Sequence, residues 1–259
     1  MARSIWNGVI SFGMVSIPVR LTTAVTSKDV SFHQLHEKCG SRLKQQRYCP
    51  VCERTVEFNE VDRGYEYAKG QHVVLEPEDF EKLPLPSKHT IEVSSIAETA
   101  EIDPIYYDST YYLEPEDTGR KPYALLLKAL KEKNVVAVAK IAIRHKESLC
   151  VLRPGKDNTI VLETLFYPDE IRKPEETNLD LSTVGEKEMA MADSLIDLLQ
   201  EPFNPSEYQD KYREALLEMI ENKMQGGAVV EQPDVAETGV IDLMDALRAS
   251  VEAAKKKKA

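Results

Sequence analysis

From Val9 to Leu21 the chain reads VISFGMVSIPVRL, with apolar residues alternating with small or polar ones, the pattern of a half-buried strand. Gly13 and Pro18 predict a bulge, bend or edge within it. Further strands are predicted at Val73 to Leu75, Ile91 to Ile96, Ile105 to Leu113, Val135 to Arg144, Leu149 to Leu152 and Ile160 to Phe166. The turn-forming run Arg153 to Asn158 closes a hairpin between the last two. Two helices interrupt this series. A short one opens near Pro77, and one from about Pro122 to Lys133 sets Tyr123, Leu126, Leu127 and Leu130 on one face.

After about Leu181 the period becomes helical. Thr183 and Glu186 fit a capping box, followed by Met189, Ala192, Leu195, Ile196 and Leu199 at helical spacing. A second helix starts after Asn204-Pro-Ser206 and ends at Gly226-Gly227, with Tyr208, Tyr212, Ala215, Leu216 and Met219 expected inward. Beyond a polar linker, Val240, Leu243, Met244, Leu247 and Val251 form an apolar stripe ahead of Lys255 to Lys258. The expected class is α+β: a strand-rich body over residues 1–181 with a loop at 33–52, a helical arm at 182–225, a linker at 226–237 and a tethered helix at 238–259.

The length of 259 residues, 42% hydrophobic and 30% charged, is that of a globular chain, and no apolar run approaches the roughly 20 residues that span a bilayer. Neither a membrane nor a small-molecule substrate is expected as a partner. The N-terminus shows no secretory leader, and three of the four cysteines crowd between Cys39 and Cys52 rather than forming a disulfide framework, so a reducing cytoplasm is expected. Net charge is −11, which by itself argues against nucleic acid. Its distribution argues the other way: residues 1–47 carry seven Lys or Arg against two acids, and residues 120–156 ten against two, leaving −24 for the remainder. Focused positive potential, not total charge, attracts a phosphate backbone.

The sharpest chemical pattern is His33-x-x-His36-x-x-Cys39-x9-Cys49-x-x-Cys52. Four such ligands make a closed, structural zinc site that can order a polar loop, and the expected set is His36, Cys39, Cys49 and Cys52, with His33 as the alternative to His36. A thioredoxin-type pair or unligated thiols are the competing readings; the first needs a helix opening at Cys49, which Pro50 and the flanking strand-like residues disfavour. The sequence has no G-x-S-x-G, P-loop, G-x-G-x-x-G or H-E-x-x-H motif, and no pair of acids stands out by spacing, so no enzyme is expected. Candidate phosphate contacts are Arg20 and Lys28, then Arg42, Lys44 and Arg47 on the cysteine loop, then Lys140, Arg144 and Lys146, whose even spacing puts them on one strand face. Any one of them also fits a plain solvated surface.

The opening Arg3 to Arg20, RSIWNGVISFGMVSIPVR, resembles the N-terminal signature of the bacterial Ku family. Phe32 to Glu37, Gly64 to Tyr67, Val74 to Phe80, Thr164 to Glu170 and Ile241 to Leu247 match the same pattern in order, so the resemblance spans essentially the whole chain. It implies a β-barrel core with a helical C-terminal arm and a homodimeric ring, without catalytic activity, that takes double-stranded DNA ends of any sequence in non-homologous end joining. It also implies that the terminal stripe recruits the multifunctional end-joining DNA ligase, and that the protein works at the nucleoid. Family members differ at the cysteine cluster, so the zinc expectation rests on spacing in this chain. Competing functions are a zinc-dependent DNA-binding regulator, a thiol redox enzyme using Cys49 and Cys52, and a structural scaffold.

Overall fold

The alternating segments close into a barrel. The computed structural model describes residues 3–83, 87, 89–143, 146–174, 179–226 and 247–252, with Glu81 by its backbone only. Two compact units result, Met1–Lys173 and Pro174–Ala259. The strands are β1 (Trp6–Phe12), β2 (Val15–Thr23), β3 (Arg47–Cys49), β4 (Arg54–Val56), β5 (Arg63–Ala68), β6 (Gln71–Leu75), β7 (Thr90–Glu98), β8 (Tyr107–Pro115), β9 (Val135–Ile143), β10 (Lys146–Pro154) and β11 (Ile160–Leu165). The helices are α1 (Pro77–Glu81), α2 (Arg120–Lys133), α3 (Glu186–Leu199) and α4 (Lys211–Met224).

Seven strands form the closed barrel in the order β1-β2-β8-β11-β10-β9-β7. The expected single bent strand over Val9 to Leu21 is instead a hairpin. Gly13, at φ +60, begins a two-residue turn that pairs Phe12 with Val15, a backbone conformation open to glycine. Every pairing in the barrel is antiparallel except the closing seam, where β1 runs parallel to β7. Closure depends on Gly8, because a Cβ there would lie 2.3 Å from the His89 carbonyl oxygen. Inward positions such as Ile10, Ile17, Val19, Leu21, Ile91, Leu113, Ile141, Leu152 and Leu162 are fully buried and fill the interior. Cys150 is among these buried residues, and burial pushes its thiol pKa far up, so it behaves as core.

α2 packs on the barrel through Tyr123, Leu126, Leu127 and Leu130, as its 3.6-residue period predicts. Its C-cap, Asn134, takes the left-handed conformation. The Tyr123 hydroxyl donates to the Leu113 carbonyl at 2.6 Å and accepts from the Ile160 amide at 2.5 Å, joining two strands whose residues 113 and 160 are register partners. Replacement by Phe leaves both backbone groups buried without that partner. Tyr123→Phe is therefore expected to lower unfolding stability by about 1–3 kcal/mol, read from urea denaturation, with little change in the m-value.

The helical unit behaves differently. α3 and α4 contain no buried side chain. Of the residues expected inward, Ala192, Leu195, Ala215 and Leu216 are half-buried, whereas Met189, Ile196, Leu199, Tyr212 and Met219 are exposed. Tyr208 is not helical; it follows the Pro205–Glu207 turn, is exposed, and lies against the Phe203 ring at 5.5 Å. Two helices alone cannot bury both apolar faces, so among the described residues much of the stripe read from the sequence stays exposed. The capping box also shifts: Glu188 accepts from the Gly185 amide at 2.8 Å, while the Thr183 hydroxyl donates to the Asp180 carbonyl.

Candidate nucleic-acid interface

Between β2 and β7 the chain leaves the barrel for roughly 60 residues, and no described side chain from Thr23 to Leu83 is buried. This arm is built from local pieces: the bridge Leu35↔Arg42, the hairpins β3–β4 and β5–β6, a turn over Phe58–Glu60 and α1. Among the described residues the small sheets have no covering layer. Phe32, Val51 and Phe58 are 69%, 90% and 75% exposed. Short-range polar bonds hold the parts instead: Arg54 grips Glu60 at 2.6 and 3.1 Å, and Glu60 also accepts from the Glu57 amide. Arg54 and that amide hold the Glu60 carboxyl below its ordinary pKa.

Two turns within the arm share a pattern. In the first, the His36 carbonyl accepts from the Cys39 and Gly40 amides, Gly40 has φ +67, and His36 Nδ1 lies 3.0 Å from Cys39 Sγ. In the second, the Cys52 and Val51 amides donate to the Cys49 sulfur, and Glu53 has φ +50. Each turn is thus ligand-x-x-ligand followed by a left-handed residue. Hydrogen bonds from Ser41 and His36 lower the Cys39 thiol to about 7, and the Cys52 and Val51 amides lower Cys49, whereas Cys52 is raised by its hydrogen bond to Cys49 and the charge there. Amide donors aimed at sulfur favour thiolate, the form that binds metal. The structure sets the four expected ligands in two pairs, and among the described residues no three His, Cys, Asp or Glu side chains gather into one metal-sized cluster. His33 lines a cleft of about 780 Å³ with Phe32, Arg42 and Lys44, and no cysteine is on its walls.

The expected cationic residues fall into two groups. Arg20 is bound to Glu114 at 2.9 Å, Lys140 to Glu147 at 3.3 Å, and Lys146 faces Glu170 at 3.9 Å. Their charges are already matched by acids from other strands or from the segment after the barrel. Arg144 lies outside the described residues. On the arm, Lys28, Arg42 and Lys44 are exposed and form no ion pair with a described residue, and Arg47 lies over the Phe58 ring at 5.0 Å. Of the expected cations, those without an ion pair among the described residues are therefore on the arm. Two members of that surface escaped sequence reasoning: Lys38, exposed on the first turn, and Arg63, 5.4 Å over the Phe80 ring. Lys38 was within reach, since it adjoins Cys39 in a basic window; the Arg63 stacking depends on α1 folding back, which no local pattern announces.

Of the terminal stripe, Val240, Leu243 and Met244 lie outside the described residues, while Leu247 and Val251 are on a helix over 247–252. Among the described residues no helix is long and apolar enough to cross a membrane.

Residues 11–191 match the family model of the Ku70/Ku80 beta-barrel domain. The chain is 44% identical over 259 residues to the non-homologous end joining protein Ku of Symbiobacterium thermophilum, covering 99% of this chain and 64% of that one. It is 43% identical to the protein of the same name from Heliobacterium modesticaldum, over 98% of this chain and 93% of that one. The Archaeoglobus fulgidus protein of that name is 42% identical, over 98% of this chain and its own full length. This chain thus spans a little under two thirds of the Symbiobacterium protein and nearly all of the other two.

Proposed function

The chain belongs to the Ku family, and on that premise we propose that it binds double-stranded DNA ends in non-homologous end joining as a homodimeric ring, without catalysing a reaction. The observation that carries this reading is the arm from Thr23 to Leu83, which combines unmatched cations with no buried side chain among its described residues. Ordering a chain costs about 1–2 kcal/mol per residue in backbone entropy, and an arm without a core must recover that from a surface outside itself. DNA phosphates supply one such surface and a second copy of the chain the other. The exposed apolar side chains Met189, Ile196 and Leu199 of α3 and Tyr212, Leu217 and Met219 of α4 support the same partner, since an isologous dimer presents each exposed patch to its symmetry mate.

Arginine and lysine contacts to phosphate fix position without conveying sequence, which suits a protein that must accept any end. The filled barrel supports a binding role rather than the enclosure of a small substrate. Zinc, held by the His36–Cys39 and Cys49–Cys52 turns, would tie the two halves of the arm base together. The terminal stripe at Val240, Leu243, Met244, Leu247 and Val251 recruits the end-joining ligase by laying an amphipathic helix in a groove. Truncation after Glu237 is expected to leave end binding intact and to abolish ligase stimulation. A gel-shift series on linear duplex, covalently closed circle and single strand tests the function. Retention on linear duplex with blunt or overhanging ends alike is expected; equal retention on closed circles, with preference among sequences, would instead identify a regulator.

A further inference from the structure

Leu247 and Val251 lie one turn apart on the terminal helix, and both are half-buried while residues 248–250 and 252 are exposed. Something in the chain covers that stripe. In the same compact unit, α3 turns Met191, Ala192, Leu195 and Leu198 to a half-buried face. A cleft of about 880 Å³ has Met191 and Leu198 of α3 on its walls together with Val251 of the terminal helix. Its polar edges are mixed in sign on both elements: Lys187 and Asp197 from α3, Arg248 and Glu252 from the terminal helix.

We infer that α3 is the docking site of the terminal helix within its own chain, so that the stripe is stored there and released when a partner helix groove takes it. A helix this short is not stable alone in water, so it needs a surface at all times. The surface that α3 supplies is incomplete: Leu247 and Val251 stay half-buried, and the cleft beside them is open enough to leave Met191 and Leu198 partly uncovered. Incomplete burial makes a contact that a better-fitting groove displaces. While docked, the stripe is withheld, and the apparent affinity for any competing partner is the intrinsic affinity multiplied by the fraction of chains undocked. The docking itself rests on the structure; only its competition with the ligase rests on the function proposed above.

Hydrogen exchange on the full chain and on the Leu247→Asp, Val251→Asp variant tests it. Amides over residues 190–198 should exchange severalfold faster in the variant, with barrel strands unchanged; unchanged exchange in α3 would overturn the docking. The reciprocal variant Met191→Ser, Leu198→Ser, checked for intact helicity by circular dichroism, should speed exchange over residues 247–252; equal protection there would also overturn it. These readouts contain no ligase. If truncation after Glu237 left ligase stimulation untouched while α3 exchange still responded, the partner assignment would fail and the docking would stand.

Discussion

Reversing Arg42, Lys44 and Arg47 together to Glu is expected to weaken binding to linear duplex on the order of 10²–10³-fold at ~0.1 M salt. Binding falls with salt to a power of about 0.9 per phosphate contact, so removing three contacts costs about 500-fold at that concentration and flattens the log–log salt slope by about 2.7. Repulsion from the new carboxylates adds to this. The loss should be the same for every DNA sequence, because none of these side chains needs a base edge. Reversal of Lys140 with Lys146 is the informative contrast. Their ammonium groups already face Glu147 and Glu170, so a much smaller loss is expected there. Titrations of both variants against salt decide between the arm and the strand face; a larger loss from the Lys140 and Lys146 pair would move the DNA contact back to the barrel.

Changing Cys49 and Cys52 to Ser is expected to remove one zinc per chain and to open the arm to protease. Structural zinc contributes about 10–16 kcal/mol of apparent binding energy in small domains, and an arm without buried side chains has no core to replace it. Metal analysis of protein purified without chelator, followed by limited trypsin digestion, reads both effects: cleavage at Arg42, Lys44 and Arg47 should accelerate while the barrel stays intact. Cys150→Ser, in the barrel core, should leave zinc content unchanged. Substoichiometric zinc in the parent protein, with identical digestion in the double variant, would return Cys39, Cys49 and Cys52 to plain thiols.

The barrel was legible where a period of two marks inward residues such as Ile17, Val19 and Leu21, whereas β9, β10 and β11 bury neighbouring residues on both faces, with Val136, Val151 and Leu165 in a second apolar cluster. The hairpin inside Val9 to Leu21 was not, since Gly13-Met14 continues the same alternation and only the positive φ of Gly13 distinguishes a turn from a bulge. β5 escaped for the opposite reason: Arg63 to Ala68 is exposed on both faces, so burial left no periodic trace. Cysteine spacing announced the two turns around Cys39 and Cys49, because the ligand-x-x-ligand geometry is local. The matching of Arg20 by Glu114 and Lys146 by Glu170 could not be seen, because it joins residues brought together only by strand order. Charge runs therefore named both kinds of cation alike, the unpaired Arg42 and Lys44 on the arm and the ion-paired Arg20, Lys140 and Lys146 on the barrel.

A ring threaded on a DNA end is distinguished from surface binding by topological trapping. The protein is loaded on linear duplex, the ends are ligated to close the circle, and the complex is washed at about 1 M salt, where phosphate contacts alone no longer hold. A ring remains on the closed circle through the wash and leaves when a restriction enzyme reopens it. Release by salt from closed and open DNA alike would show surface binding and contradict the ring.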